Sequence, residues 1–194
     1  MPDTLSDLDV ASRDAMRRVA VVGAESTGKT ILCRFLAQHF EGWSFEEPLR
    51  QWVEHFGRSP SANEQWEILQ RQKQAEDQAL VSARGAGKRW VFCDSAPLVT
   101  AVYSQFYFQD NTLFDQAIAH HKEAYSHTLV CDIDLGWQAE PGMRDGPQAQ
   151  STVRGLLLEA LQRHDIGYFT VRGKGEQRGQ LAAQFLTAVD FGQR

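Results

Sequence analysis

A chain of 194 residues, 42% hydrophobic and 23% charged, is long enough for one domain with a single sizeable core and has the balance of an ordinary globular protein. Its formal net charge of −5 argues against a dedicated nucleic-acid binder, which carries a basic balance. No apolar run is long enough to span a bilayer, and Asp3, Asp7 and Asp9 do not suit a signal peptide, so a cytoplasmic protein without a membrane or nucleic-acid partner is expected. Cys33, Cys93 and Cys131 form an odd set without C-x-x-C spacing, which predicts reduced, buried thiols rather than a zinc site or a disulfide.

Residues 1–17 are polar and weakly patterned, a loose N-terminal extension turning helical near 11–17. Residues 18–194 read as a single domain, with no repeat and no internal boundary. The β-branched run at 18–22 predicts a strand, and Ile31, Leu32, Phe35, Leu36 and Phe40 give the next segment one apolar helical face. A short strand is expected at 43–46. Polar helices follow at 48–56 and 62–84, the second with Trp66, Leu69 and Leu80 as its sparse apolar positions. A strand at 90–94, an aromatic-rich helix at 97–108, a helix at 112–125 and a strand at 127–131 come next. Residues 132–147 carry too many glycines and prolines for regular structure. A helix at 148–164, a strand at 168–171 and a helix at 177–188 complete the chain. Five apolar strands alternating with helices predict βαβ units, hence an α/β fold with a mostly parallel sheet covered on both faces.

The chemistry centres on Gly23 to Thr30, a complete G-x-x-x-x-G-K-T between a predicted strand and a predicted helix. Gly23 and Gly28 permit a tight loop in which the amides of Ala24, Glu25, Ser26, Thr27 and, entering the helix, Ile31 form a nest for anionic oxygens. The helix N-terminus adds partial positive charge. Lys29 would reach the β- and γ-phosphates, and the Thr30 hydroxyl would ligate Mg²⁺. The motif implies a bound nucleoside triphosphate.

Asp94 closes the predicted strand at 90–94 on the side where ligands bind in such sheets, so it would hold Mg²⁺ or accept a proton; capping the next helix is the structural alternative. Glu46, Glu47 and Arg50 end the second strand, either as an acceptor-binding edge or as a surface pair at helical spacing. The irregular segment from Asp134 to Asp145 has the length of an active-site lid. Within it Trp137 is a stacking platform or a core plug, while Arg144, with Arg154 beyond it, would stabilise transition-state charge. Tyr103 and Tyr107 lie one turn apart and would line the same pocket or pack in the core. Arg178 would stack on adenine or touch a phosphate. His120 and His121 read as surface residues.

These motifs together resemble the NadR-type ribosylnicotinamide (nicotinamide riboside) kinase domain of the P-loop, AAA_28-like ATPases. The carriers are Gly23–Thr30, Glu46 with Arg50, the helix bearing Gln72 and Glu76, Cys93-Asp94-Ser95 leading to Pro97-Leu98-Val99-Thr100, Tyr103 with Tyr107, and the loop from Asp134 through Trp137 to Met143-Arg144-Asp145. The resemblance implies a P-loop NTPase fold of the nucleoside and nucleotide kinase type, a five-stranded sheet, and ATP with Mg²⁺ as cofactors. It also implies phosphorylation of the 5′-hydroxyl of nicotinamide riboside in NAD salvage, with Trp137 stacked on the substrate base and the loop's acidic end on the ribose. The chain departs from the family pattern at Gly136, which replaces a proline, and at Glu140-Pro141-Gly142, which replaces an Asp-Gly pair and makes Glu140 the stand-in for the ribose contact. The bifunctional members of that family carry a nucleotidyltransferase domain upstream; the stretch before Arg18 is expected to hold none. A nucleoside monophosphate kinase and a regulatory ATPase, the latter as a tight oligomer, are the alternatives. A GTPase is not, since no N-K-x-D tetrad occurs.

Overall fold

The computed structural model describes residues 16–45, 47–137 and 146–192. Its strands are β1 (Arg17–Val22), β2 (Trp43–Ser44), β3 (Trp90–Asp94), β4 (His127–Cys131) and β5 (Phe169–Val171). Its helices are α1 (Lys29–His39), α2 (Pro48–Phe56), α3 (Gln65–Gly85, preceded by a 3₁₀ turn at Ala62–Glu64), α4 (Pro97–Phe108), α5 (Phe114–Ala124), α6 (Pro147–Arg163) and α7 (Gly175–Gly192). All the strand pairs are parallel, in the order β2-β3-β1-β4-β5.

The β1 run has no polar alternation because both of its faces are covered. Val19 and Val21 pack on one side with Leu32 and Leu36 of α1 and Ala183 and Leu186 of α7. Ala20 and Val22 pack on the other with Leu98 and Val102 of α4 and Leu157 of α6. Where α1 and α7 meet, a Cβ at Gly179 would lie 2.4 Å from the Phe35 ring, so only glycine allows that approach. From β1 the chain crosses to β2, returns to β3 and then passes over β1 to β4, so the direction of strand addition reverses beside β1. The switch point therefore opens at the carboxyl end of β1, where the glycine-rich loop begins.

Most elements fall where the sequence places them. Four readings change. Ile31, expected on the apolar face of α1, is 74% exposed, because Leu32, Cys33 and Leu36 alone turn into the sheet. Arg17 belongs to β1 rather than to a leading helix, and β2 stops at Ser44, with Glu46 outside the described residues. His121 is buried, not a surface residue: its Nε2 lies 2.8 Å from Thr128 Oγ1, and burial, then the neighbouring His120, pushes its pKa down to about 4. The three cysteines are buried free thiols, as expected. No helix among the described residues is long and apolar enough to cross a membrane.

Candidate active site

The loop after β1 is built to present its backbone. Gly28 takes a left-handed φ of +76° and is the N-cap of α1, so the first amides of that helix stay open toward the loop's hollow. Gly23 abuts β4: a Cβ there would meet Thr27 Oγ1 at 2.9 Å and the Cys131 carbonyl at 3.0 Å. The Thr27 hydroxyl donates to the Ala24 carbonyl at 2.7 Å, and Lys29 Nζ donates to the same carbonyl at 3.0 Å. The ammonium is thus parked across the loop, within reach of any phosphate placed in it.

Side chains from distant segments hold this loop in place. Tyr103 on α4 accepts the Glu25 amide at 3.0 Å, and Gln150 on α6 donates to the Glu25 carbonyl at 2.8 Å. Arg178 on α7 donates to the Thr27 carbonyl at 3.0 Å, the Asp132 carbonyl at 3.2 Å and Asp134 Oδ1 at 2.6 Å. Expected to stack on adenine or touch phosphate, Arg178 is instead 4% exposed, with its terminal nitrogens committed behind the loop. Its role in this structure is to brace the nest.

Asp94 sits at the end of β3, 1% exposed, and accepts the Thr30 hydroxyl through Oδ2 at 2.5 Å. Its Oδ1 is buried without a hydrogen-bond partner. It does not cap α4: Ala96 holds the N-cap position, with no side-chain cap. A buried carboxyl oxygen left open beside a threonine hydroxyl suits a hard cation that keeps much of its water and takes its other ligands from phosphate. No group of three or more His, Cys, Asp or Glu residues with metal-binding geometry occurs among the described residues, which accords with a cation shared with a nucleotide rather than caged by protein. Thr30 and Asp94 thus fit Mg²⁺.

Beside Lys29 opens a cavity whose walls come from the loop (Glu25, Ser26), α2 and its approach (Glu47, Arg50), α3 (Gln65, Ile68, Gln72) and α4 (Val99, Thr100, Tyr103, Tyr107). It gathers seven of the candidate site residues marked in the sequence: Glu25, Ser26, Lys29, Glu47, Arg50, Tyr103 and Tyr107. The two tyrosine rings stack 6.0 Å apart at 18°, and both line the cavity, Tyr103 packing against the core as well. Glu46, Glu140 and Arg144 lie outside the described residues. Trp137 is half-buried with its Nε1 unpartnered, and is not in the cavity wall. Arg154, expected as an arginine finger, is paired with Asp132 at 2.7 Å, and Arg172 pairs with the other oxygen at 2.8 Å. Burial opposes ionisation of Asp132, but hydrogen bonds from Arg172, the Ile133 amide and Arg154 outweigh it and hold the carboxyl below its usual range. Sequence reading assigned no role to Gln150, Gln65 or Thr100. Glutamine and threonine carry no spacing signal, and only the fold brings these residues to the site.

A parallel sheet with a glycine-rich anion nest at its switch point, and a strand-end carboxyl bonded to the loop's last threonine, defines a P-loop protein with the nucleoside and nucleotide kinase fold. The family model described as an AAA domain (AAA_28) matches residues 18–178, and the chain belongs to that family. No curated protein matches it. Among solved structures, it is similar to NadR protein in complex with NR, with a TM-score of 0.68 at 22% identity over 89% of this chain and 50% of the other. It is similar to thymidylate kinase from Ehrlichia chaffeensis, with a TM-score of 0.64 at 15% identity over 89% and 99%. It is also similar to deoxyadenosine kinase from M. mycoides with bound dATP, with a TM-score of 0.61 at 12% identity over 88% and 99%. The chain spans about half the length of the NadR chain it matches.

Proposed function

We propose that this chain is a Mg²⁺·ATP-dependent kinase that phosphorylates the 5′-hydroxyl of nicotinamide riboside, giving nicotinamide mononucleotide. The observation that carries this reading is the continuity of the loop with the acceptor cavity, both of which Lys29 lines. A γ-phosphoryl group in the nest and a hydroxyl in the cavity then meet across one ammonium, and positioning plus charge stabilisation are most of what such a transfer requires. The NadR structure with bound NR supports the choice of riboside.

The two candidate proton acceptors separate by location. Asp94 is enclosed and bonded to Thr30, so its part is to hold the metal, which when bound neutralises phosphate charge. Glu47 lines the cavity and takes the proton from the attacking hydroxyl. Arg50 fixes the ribose. Trp137, Glu140 and Arg144 belong to the lid in this proposal, stacking on the base, touching the ribose and neutralising developing charge.

A nucleoside fits the cavity better than a nucleoside monophosphate. Among the described residues its cations are Lys29 and Arg50, while Arg71 and Arg58 nearby are paired with Glu67 at 2.6 Å and Glu64 at 2.7 Å. An acceptor phosphate would need more positive charge in the cavity wall than these two side chains supply. The test is a coupled ADP-release assay across ribosides and nucleoside monophosphates. Turnover with nicotinamide riboside well above the rate of ATP hydrolysis alone supports the proposal; equal rates for every acceptor refute it.

A further inference from the structure

Gln72 lines the acceptor cavity from α3 and is 4% exposed. Its amide nitrogen makes two hydrogen bonds, to Glu76 Oε1 at 2.9 Å and to the Ser95 carbonyl at 3.1 Å. Both partners are acceptors, and Glu76 Oε1 already receives the Tyr125 hydroxyl at 2.6 Å. Turning the amide over would set its oxygen against two other oxygens, so the orientation is fixed by chemistry as well as by packing. Glu76 cannot swing to relieve this. It is fully buried, and Arg18 at 3.3 Å and His120 at 3.4 Å hold its other oxygen.

With both N–H groups spent on Glu76 and Ser95, Oε1 is the amide atom left to serve the cavity that Gln72 lines, and no hydrogen bond from the described residues reaches it. In the same wall Ile68 and Val99 are apolar, and Ser95 adds a buried hydroxyl with no hydrogen-bond partner among the described residues. An oriented acceptor in a largely apolar wall discriminates strongly. A ligand that donates to it satisfies a nearly buried oxygen, and one that presents another oxygen leaves both unpaired and opposed.

We propose that Gln72 is a specificity-determining residue whose Oε1 accepts a hydrogen bond from an N–H donor on the acceptor's ring, so that the site takes ribosides bearing a primary carboxamide and rejects those bearing a carboxylate. Glu76 is the positioning residue that keeps Gln72 turned this way. This inference rests on the kinase reading above and deepens it.

The experiment compares nicotinamide riboside with nicotinic acid riboside, by kcat/KM and by thermal shift in the presence of AMP-PNP. The wild-type protein should favour the amide by about 10- to 100-fold. Gln72→Met, which keeps the length of the side chain and removes its acceptor, should bring the ratio to within about threefold, mainly by loss of the amide substrate. If Gln72→Met does not fold, Gln72→Asn withdraws the carbonyl from the cavity and should compress the ratio in the same way. A purely structural role would lower both substrates together and leave the ratio unchanged, which overturns the assignment. Equal turnover of the two ribosides by wild type also overturns it and leaves the kinase reading standing. Preferential binding of the amide without turnover would keep the assignment and sink the kinase reading; neither binding nor turnover would overturn both.

Discussion

The two halves of the site are put together in opposite ways. The phosphate side is one contiguous stretch, Gly23 to Thr30, shaped by two glycines and the start of a helix and braced from behind by Tyr103, Gln150 and Arg178. The acceptor side is assembled from the P-loop, the α2 approach, α3 and α4, none of which carries the cavity by itself. A backbone nest presents its own amides to phosphate oxygens, and it serves any nucleoside triphosphate. Recognition of one particular acceptor needs side chains converging from several directions, and these are free to change while the loop is not.

That contrast predicts two kinds of defect. Lys29→Met should lower kcat by about a thousandfold with every acceptor, since it removes charge from the common side, and it should leave the unfolding temperature nearly unchanged. If the loss depended on the acceptor, the separation of the halves would fail. Glu47→Gln should cost about a hundredfold in kcat with little change in ATP affinity, as for loss of a general base; retention of most of the rate would return the proton to Asp94.

A third expectation concerns stability away from both halves. Folded His121 has a pKa of about 4, against about 6.5 when unfolded. Between these values the unfolded chain takes up a proton that the folded chain refuses. Stability contributed by neutral His121 is therefore whole above pH 6.5 and lost as pH falls toward 4, by up to about 3 kcal/mol. Denaturant unfolding from pH 7 to 4 should show this decline, and His121→Gln should flatten that part of the profile. The smallest effect is expected at Gln150→Leu, which removes one tether on the Glu25 carbonyl. KM for ATP should rise about threefold, and KM for the acceptor should stay put. A larger change on the acceptor side would show that the halves are mechanically joined.

Much of this was legible beforehand because local patterns sufficed. The unbroken apolar runs gave β1, β3 and β4, and the eight-residue loop gave the nucleotide side. Asp94 could be marked by its place at a strand end; Glu47 was marked by the same rule, although its strand stops at Ser44 and Glu47 is the N-cap of α2. What escaped was set by tertiary contact. His120 and His121 both read as surface residues in the sequence, yet both turn inward, the first toward the buried Glu76 and the second onto Thr128. Arg178 looked like a ligand for nucleotide and proved to be a brace, since its pairing with Asp134 spans 44 positions and no spacing rule reaches so far. Gln72 and Glu76 were noticed as neighbours on a polar helix, but the direction of the amide depends on Ser95 and Tyr125, which come from other elements.

Arg178 grips the Thr27 carbonyl across 151 residues. During vectorial synthesis the glycine-rich loop leaves the ribosome well before the guanidinium that steadies it, which arrives with α7. A nascent chain therefore carries the lettering of a nucleotide pocket well before it owns a braced one, and ATP cannot grip it in the finished geometry until α7 has emerged and docked.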